Sequence, residues 1–243
     1  MSVVVIFGAT GTIGSALARC LVHLGRQVLL AGRSEEKLKS LSDEIRQPYV
    51  TVDMSDSQSF EEAIRDTAET LGGVGAFVNC VGSLLLKPAH ITTDDEFHQV
   101  VETNLFTAFA TVRMGAKHLR ASGGSIVLFA SAAAEIGIAN HEAIAAAKAG
   151  VIGLARSAAA TYAANNIRIN VVSPGLIRTD LTRHIWENSA SATASAQMHA
   201  LGRLGEPDQV ASLAAWLLDP DNDWITGQVI GIDGGLGHVL PRR

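Results

Sequence analysis

Cysteine is nearly absent: Cys20 and Cys80 are the only two, far apart and without CxxC or Cys/His spacing. This excludes a disulfide framework, implies no metal site, and points to buried thiols in a reduced, cytoplasmic chain. No stretch reaches the roughly 18 uninterrupted apolar residues of a bilayer span. The opening Met1-Ser2-Val3-Val4-Val5-Ile6-Phe7 lacks the basic region of a signal peptide, so no membrane partner is expected. Basic residues are outnumbered, 19 Lys and Arg against 24 Asp and Glu, and nowhere form a stretch dense enough to track a phosphate backbone. Nucleic acid is therefore not an expected partner. With 18% charged and 47% hydrophobic residues, disorder is excluded as well.

No Pro/Gly/Ser linker divides the 243 residues, and residues 1–243 read as a single domain large enough to need no staple. β-branched runs at 3–7, 27–31, 49–53, 75–79, 125–131, 167–173 and 229–233 read as seven strands, most of them lacking the alternation of a half-exposed strand. Helical segments are expected near 12–24, 35–46, 56–71, 94–120, 139–164 and 207–218. This alternation predicts an α/β fold: one doubly wound (Rossmann) domain, a seven-stranded parallel sheet with helices on both faces. Ligands then bind at the carboxyl ends of the strands, where the strand order reverses. Residues 176–201, weakly periodic and rich in Ser, Ala and Thr, read as a mobile substrate loop or a plain surface excursion.

The first strand runs into Gly8-Ala9-Thr10-Gly11-Thr12-Ile13-Gly14 and then an amphipathic helix. Glycines in that context allow a tight turn and let backbone N–H groups approach a pyrophosphate at the helix N-terminus. A tight turn without ligand is the plain alternative. The second strand ends in Arg33-Ser34 where an acidic residue would bind a ribose 2′-hydroxyl. A guanidinium and a hydroxyl suit a 2′-phosphate instead, which favours NADP(H), unless Arg33 is an ordinary solvated residue. Asp53 either accepts a bond from the adenine amine or caps the following helix.

These features, with Asn79-Cys80-Val81-Gly82, Asn104, Ser131, Lys148, the Asn170 to Gly175 segment with Thr179, and the terminal Gly227 to Gly235 stretch, make the chain resemble the short-chain dehydrogenase/reductase family over nearly its whole length. The resemblance implies hydride transfer between a nicotinamide and a carbonyl or alcohol. It assigns Asn104 to a water in a proton relay, Ser131 to the substrate oxygen, and Lys148 to the nicotinamide ribose. It also implies that Met54, Asn79, Val81, Gly82, Pro174, Gly175, Ile177 and Thr179 complete the cofactor site. Dimers or tetramers built on the helices at 94–120 and 139–164 are usual in the family.

In the family a Tyr four residues before the Lys is the acid or base; here that residue is Ile144, which can exchange no proton. The only tyrosines are Tyr49 and Tyr162, both remote in sequence. The nearest proton donor is His141; on one continuous helix, residues 141, 144, 145 and 148 share a face. A Tyr seven residues before the Lys is a feature of the enoyl-acyl carrier protein reductase branch, and His141 holds that place. His141 is thus a candidate donor, with a water held by Ser131 and Asn104 as the other route and helix capping as the plain alternative. Three readings stay open: a carbonyl or alcohol oxidoreductase, an alkene reductase, and a nucleotide-binding protein without turnover. Leu84 to Leu86, Ile136 to Ile138 and Ile185-Trp186 suggest a small-molecule substrate with apolar surface.

Overall fold

The structure is a computed structural model that describes residues 2–54 and 57–240. The elements run β1 (Val3–Phe7), α1 (Thr12–His23), β2 (Val28–Gly32), α2 (Glu35–Ile45), β3 (Tyr49–Thr51), α3 (Ser57–Thr70), β4 (Val74–Asn79), α4 (Asp94–Val101), α5 (Thr107–Leu119), β5 (Gly124–Phe129), α6 (Glu142–Tyr162), β6 (Ile167–Pro174), α7 (Arg183–Trp186), α8 (Ser189–Met198), α9 (Pro207–Leu218) and β7 (Val229–Ile232). All strand pairs are parallel, in the order β3-β2-β1-β4-β5-β6-β7. The order reverses beside β1, whose neighbours are β2 and β4, so the crevice expected of such a sheet lies past the ends of β1 and β4.

The run at 3–7 is continuously apolar because both faces of β1 are buried. Val3, Val5 and Phe7 point into one core with residues of α5 and α6 such as Met114 and Val151. Val4 and Ile6 point into the other, against Leu17 of α1, Leu38 of α2 and Val210 of α9. Burying one such side chain fully contributes on the order of 1.5–3 kcal/mol, and none of the five is exposed. The edge strands β3 and β7 are only half-buried, which limits the expectation of two covered faces to the inner strands.

Two expectations are revised. Residues 94–120 form two α-helices joined by a π-turn over Glu102–Phe106. Residues 176–201 carry α7 and α8, and are pinned by side chains. Trp186 Nε1 donates to the Thr179 carbonyl at 2.9 Å, and the Leu176 N–H donates to His199 Nε2 at 3.1 Å. Helix α6 is long and apolar enough to cross a bilayer, yet half of it is buried, with Val151, Ile152 and Ala155 in the core shared with β5 and β6.

Candidate active site

At the end of β1, Gly8 adopts φ +71°, a left-handed conformation that glycine takes at no steric cost. The turn is so tight that a Cβ at Gly14 would stand 2.3 Å from the Gly8 carbonyl oxygen. Gly11 is the N-cap of α1 and supplies no side-chain cap, and the first turn holds no acidic residue. The first intrahelical bond is made by the Ser15 N–H to the Gly11 carbonyl at 2.8 Å, so the N–H groups of Thr12, Ile13 and Gly14 remain for an anion. Thr10 Oγ1 lies beside Gly32, whose Cβ would meet it at 3.8 Å, bringing the glycine turn and the end of β2 together. There Arg33 is exposed, and Ser34 caps α2 by accepting from the Lys37 N–H at 3.4 Å. Asp53 is exposed past β3, whereas the Met54 side chain is buried in the core and turned away from the surface.

Further along the sheet is a cleft of about 150 Å³ lined by Ile13, Val81, Gly82, Asn104, Ser131, Ile144, Lys148, Pro174, Gly175, Ile177 and Thr179, among others. Thus the structure gathers most of the expected chemical residues into one place. Asn104 sits in the π-turn, 1% exposed, and its amide is well used. Its Nδ2 donates to Ser83 Oγ and to the Val100 carbonyl, each at 2.9 Å, while Oδ1 accepts from the Ser83 N–H at 3.2 Å. The π-turn and this bond to the carbonyl four residues back occur at the same place, and π-turns of this kind are frequent at functional sites. Ser131, just past β5, accepts from the Ala133 N–H at 3.2 Å, leaving its own O–H proton for an oxygen in the cleft. Lys148 Nζ donates to the Phe129 carbonyl at 2.9 Å.

His141 is not among the residues lining this cleft. It is the N-cap of α6 with φ −109° and ψ 13°, outside the helix, and its Nδ1 lies 2.8 Å from the Ala139 carbonyl oxygen. The shared helical face therefore reaches 144 and 148 but not 141. Ile144 is 3% exposed and packs with Val100, Ala143, Ala147, Leu84 and Leu85. Asn79 shapes the loop past β4, accepting from the Val81 N–H at 3.0 Å and donating to Thr107 Oγ1 at 3.1 Å. Ser83 and Thr182 had no motif to reveal them; Thr182 Oγ1 accepts from the Thr179 N–H at 3.1 Å and shares a hydroxyl contact with Thr179.

Burial lowers the Lys148 ammonium to about 8 and pushes the Cys80 thiol up to about 12. Cys80 thus stays neutral where Lys148 titrates, and burial is the main cause of the lowered amine, against a smaller opposing pull from the Cys80 side. An unfolded lysine keeps its proton to about pH 10.4, so from pH 8 upward the unfolded chain binds more protons and folding stability rises. Through the same range, from about pH 8.5, the unfolded Cys80 ionises while the folded thiol does not, which offsets part of the gain in both wild type and variant. Denaturant titrations from pH 8 to 9 should show up to about 1 kcal/mol of added stability from this amine, and Lys148→Met should lose that slope.

A family model described as enoyl-(acyl carrier protein) reductase matches residues 8–237. Carbonyl reductase family member 4 of Danio rerio is 33% identical, over 97% of this chain and 98% of that protein. Among solved structures, a short-chain type dehydrogenase/reductase from Mycobacterium ulcerans superposes with TM-score 0.93 at 28% identity, covering 97% and 90% of the two chains. ElxO with NADP bound gives 0.91 at 28% identity, over 97% and 98%. A parallel sheet in this order, a cleft past its strand ends and relatives of this kind over nearly the full length agree: the chain belongs to the short-chain dehydrogenase/reductase family of oxidoreductases.

Proposed function

We propose that the protein is an NADP(H)-dependent oxidoreductase acting on a carbonyl or alcohol with apolar surface. One observation carries this reading: the uncapped N-terminus of α1, the guanidinium of Arg33 and the cleft holding Asn104, Ser131 and Lys148 all lie past the carboxyl ends of neighbouring strands. The residues fit a dinucleotide. The N–H groups of Thr12, Ile13 and Gly14 would take the pyrophosphate, and Arg33 with Ser34 the 2′-phosphate. The loops at Val81-Gly82 and Pro174-Gly175, with Ile177, Thr179 and Lys148, would hold the nicotinamide end, where the cofactor supplies or accepts a hydride. ElxO, with NADP bound, supports the choice of cofactor.

Ser131 donates a hydrogen bond to the substrate oxygen and fixes its position, keeping its own proton. Ile144, Leu84 and Leu85 pack the hydrocarbon part and keep water off the reacting carbon. Ile144 stands where the family resemblance implies a proton-exchanging tyrosine, so the proton travels by another group. For His141 to supply it, the ring must leave the Ala139 carbonyl and turn into the cleft. His141→Ala tests this during NADPH oxidation with a panel of ketones, aldehydes and enones: unchanged turnover removes the imidazole, whereas a loss of about 10²- to 10⁴-fold installs it. Oxidation of NADPH by none of them removes the oxidoreductase reading.

The description of the matching family model favours a second reading, reduction of an alkene conjugated to a carbonyl. Product analysis with an enone separates the two. Phe97 on α4 and Phe109 on α5 are 41% and 47% exposed, which supports self-association through these helices.

A further inference from the structure

We infer that Lys148 itself is the proton-transferring group: its ammonium is the acid that completes carbonyl reduction, and its neutral amine the base for alcohol oxidation. This rests on the proposed reaction and assigns the step that Ile144 leaves open.

The first ground is what surrounds the reacting oxygen. Among the described residues, the cleft lining contains two titratable side chains, Cys80 and Lys148, and no carboxylate, imidazole or phenol. Cys80, with its thiol pushed up to about 12, gives no proton near neutrality. The neighbours brought to Nζ from other elements carry no charge near neutrality: the Phe129 carbonyl from β5, and Gly82 and the Cys80 thiol from the loop past β4.

The second ground is geometric. An ammonium has three N–H donors, and among the described residues one is committed, to the Phe129 carbonyl at 2.9 Å. A Cβ on Gly82 would stand 3.7 Å from Nζ and 3.2 Å from Asn104 Oδ1, so the missing side chain keeps both groups open to one shared space. Ile144, one turn earlier on α6, lines the same cleft with hydrocarbon and offers no competing donor. Burial, which lowers the ammonium to about 8, also makes it a stronger acid than a phenol near 10 while leaving it charged at neutral pH.

The step balances. The carbonyl carbon takes the hydride and the C=O π pair moves onto oxygen. The Lys148 N–H bond breaks as an O–H bond forms there, and water reprotonates the amine. One reduced nicotinamide is oxidised and one solvent proton consumed for each alcohol formed.

The test combines Lys148→Arg, Lys148→Ala and an NMR titration of the ligand-free full-length protein carrying lysine labelled with ¹³C at Cε. Arginine keeps the charge and hydrogen bonds but cannot release its proton. The expected results are NADPH affinity of Lys148→Arg within about tenfold of wild type and turnover down about 10²-fold or more. Turnover of Lys148→Ala should be restored by ethylamine and not by guanidinium or tetramethylammonium. The signal absent from Lys148→Arg should titrate within about one unit of pH 8 in the wild type. Full turnover in Lys148→Arg, equal rescue by guanidinium, or a lysine that stays charged beyond pH 10 would overturn the proposal and leave Lys148 as a positioning cation. A wild type that binds NADPH but transfers hydride to no acceptor defeats the functional reading instead, and the NMR titration still reports the amine separately.

Discussion

Gly14→Ala is expected to weaken NADPH binding by about 100-fold or more and to destabilise the fold by about 1–3 kcal/mol, the usual range for overpacking. The added methyl would sit 2.3 Å from the Gly8 carbonyl oxygen and 3.0 Å from the Gly8 carbonyl carbon and Ala9 Cα. All three are backbone atoms, so no rotamer change relieves the contact. Retreat of the turn toward β4 is blocked, since Gly8 already approaches the Cys80 and Val81 backbone closely enough that its own Cβ would stand 2.9 Å away. Movement of α1 is resisted by Leu17 and Leu21, both buried in the core shared with β1 and α9. The strain therefore stays in the N–H cradle of Thr12, Ile13 and Gly14. Fluorescence titration and thermal melts read both effects. Gly153→Ala, the same change on α6 where a Cβ meets nothing within 4 Å, should leave NADPH affinity unchanged.

The second large effect is on the choice of cofactor. Arg33→Asp should lower NADPH affinity by about 10²- to 10³-fold and raise NADH affinity, reversing the preference between them. Two contributions add. Charge-assisted hydrogen bonds to a phosphate, about 1.5–3 kcal/mol, are lost, and a carboxylate is placed against the 2′-phosphate. The same carboxylate accepts from a ribose 2′-hydroxyl, which favours NADH. Arg33 is exposed and Ser34 keeps its capping bond to the Lys37 N–H, so stability should change little. Calorimetric titration of both cofactors into wild type and variant checks this. Equal NADPH affinity in the two proteins would place the 2′-phosphate elsewhere.

The parts of the molecule legible in the sequence are those where burial follows chain periodicity. β1 is apolar at each residue because both faces are covered, and α1, α2 and α9 show amphipathic faces because each has one side on the sheet. What stayed hidden depends on side chains replacing backbone regularity. Nothing in 94–120 marks the π-turn, because its signature is Asn104 bonding to the Val100 carbonyl within a helical pattern. Helix α8, Ser189–Met198, has no buried face to give it periodicity and is held at its end by His199, which bonds to the Ser195 carbonyl at 2.7 Å and to the Leu176 N–H.

The candidate site shows the same division. Asn104, Ser131, Lys148 and the two glycine-bearing loops were recognisable by pattern, and the fold brings them together. The face shared by 141, 144, 145 and 148 assumes a continuous helix, but α6 starts at Glu142, so the direction of the His141 ring is set by Ala139 instead. Asn79 looks like a ligand-binding residue in the sequence. In the fold both ends of its amide tie the β4 loop to itself and to α5. Ser83, which fixes Asn104 from the other side, belongs to no pattern a single sequence exposes.

The most direct measurement is deuteride delivery: the wild-type protein incubated with NADPH deuterated at C4 and a panel of apolar ketones, aldehydes and enones, with products read by mass spectrometry and NMR. The account predicts deuterium on the carbinol carbon of an alcohol formed in step with NADP⁺. Tight NADPH binding with no deuterium in any product, or deuterium confined to the β-carbon of a reduced enone, would contradict it.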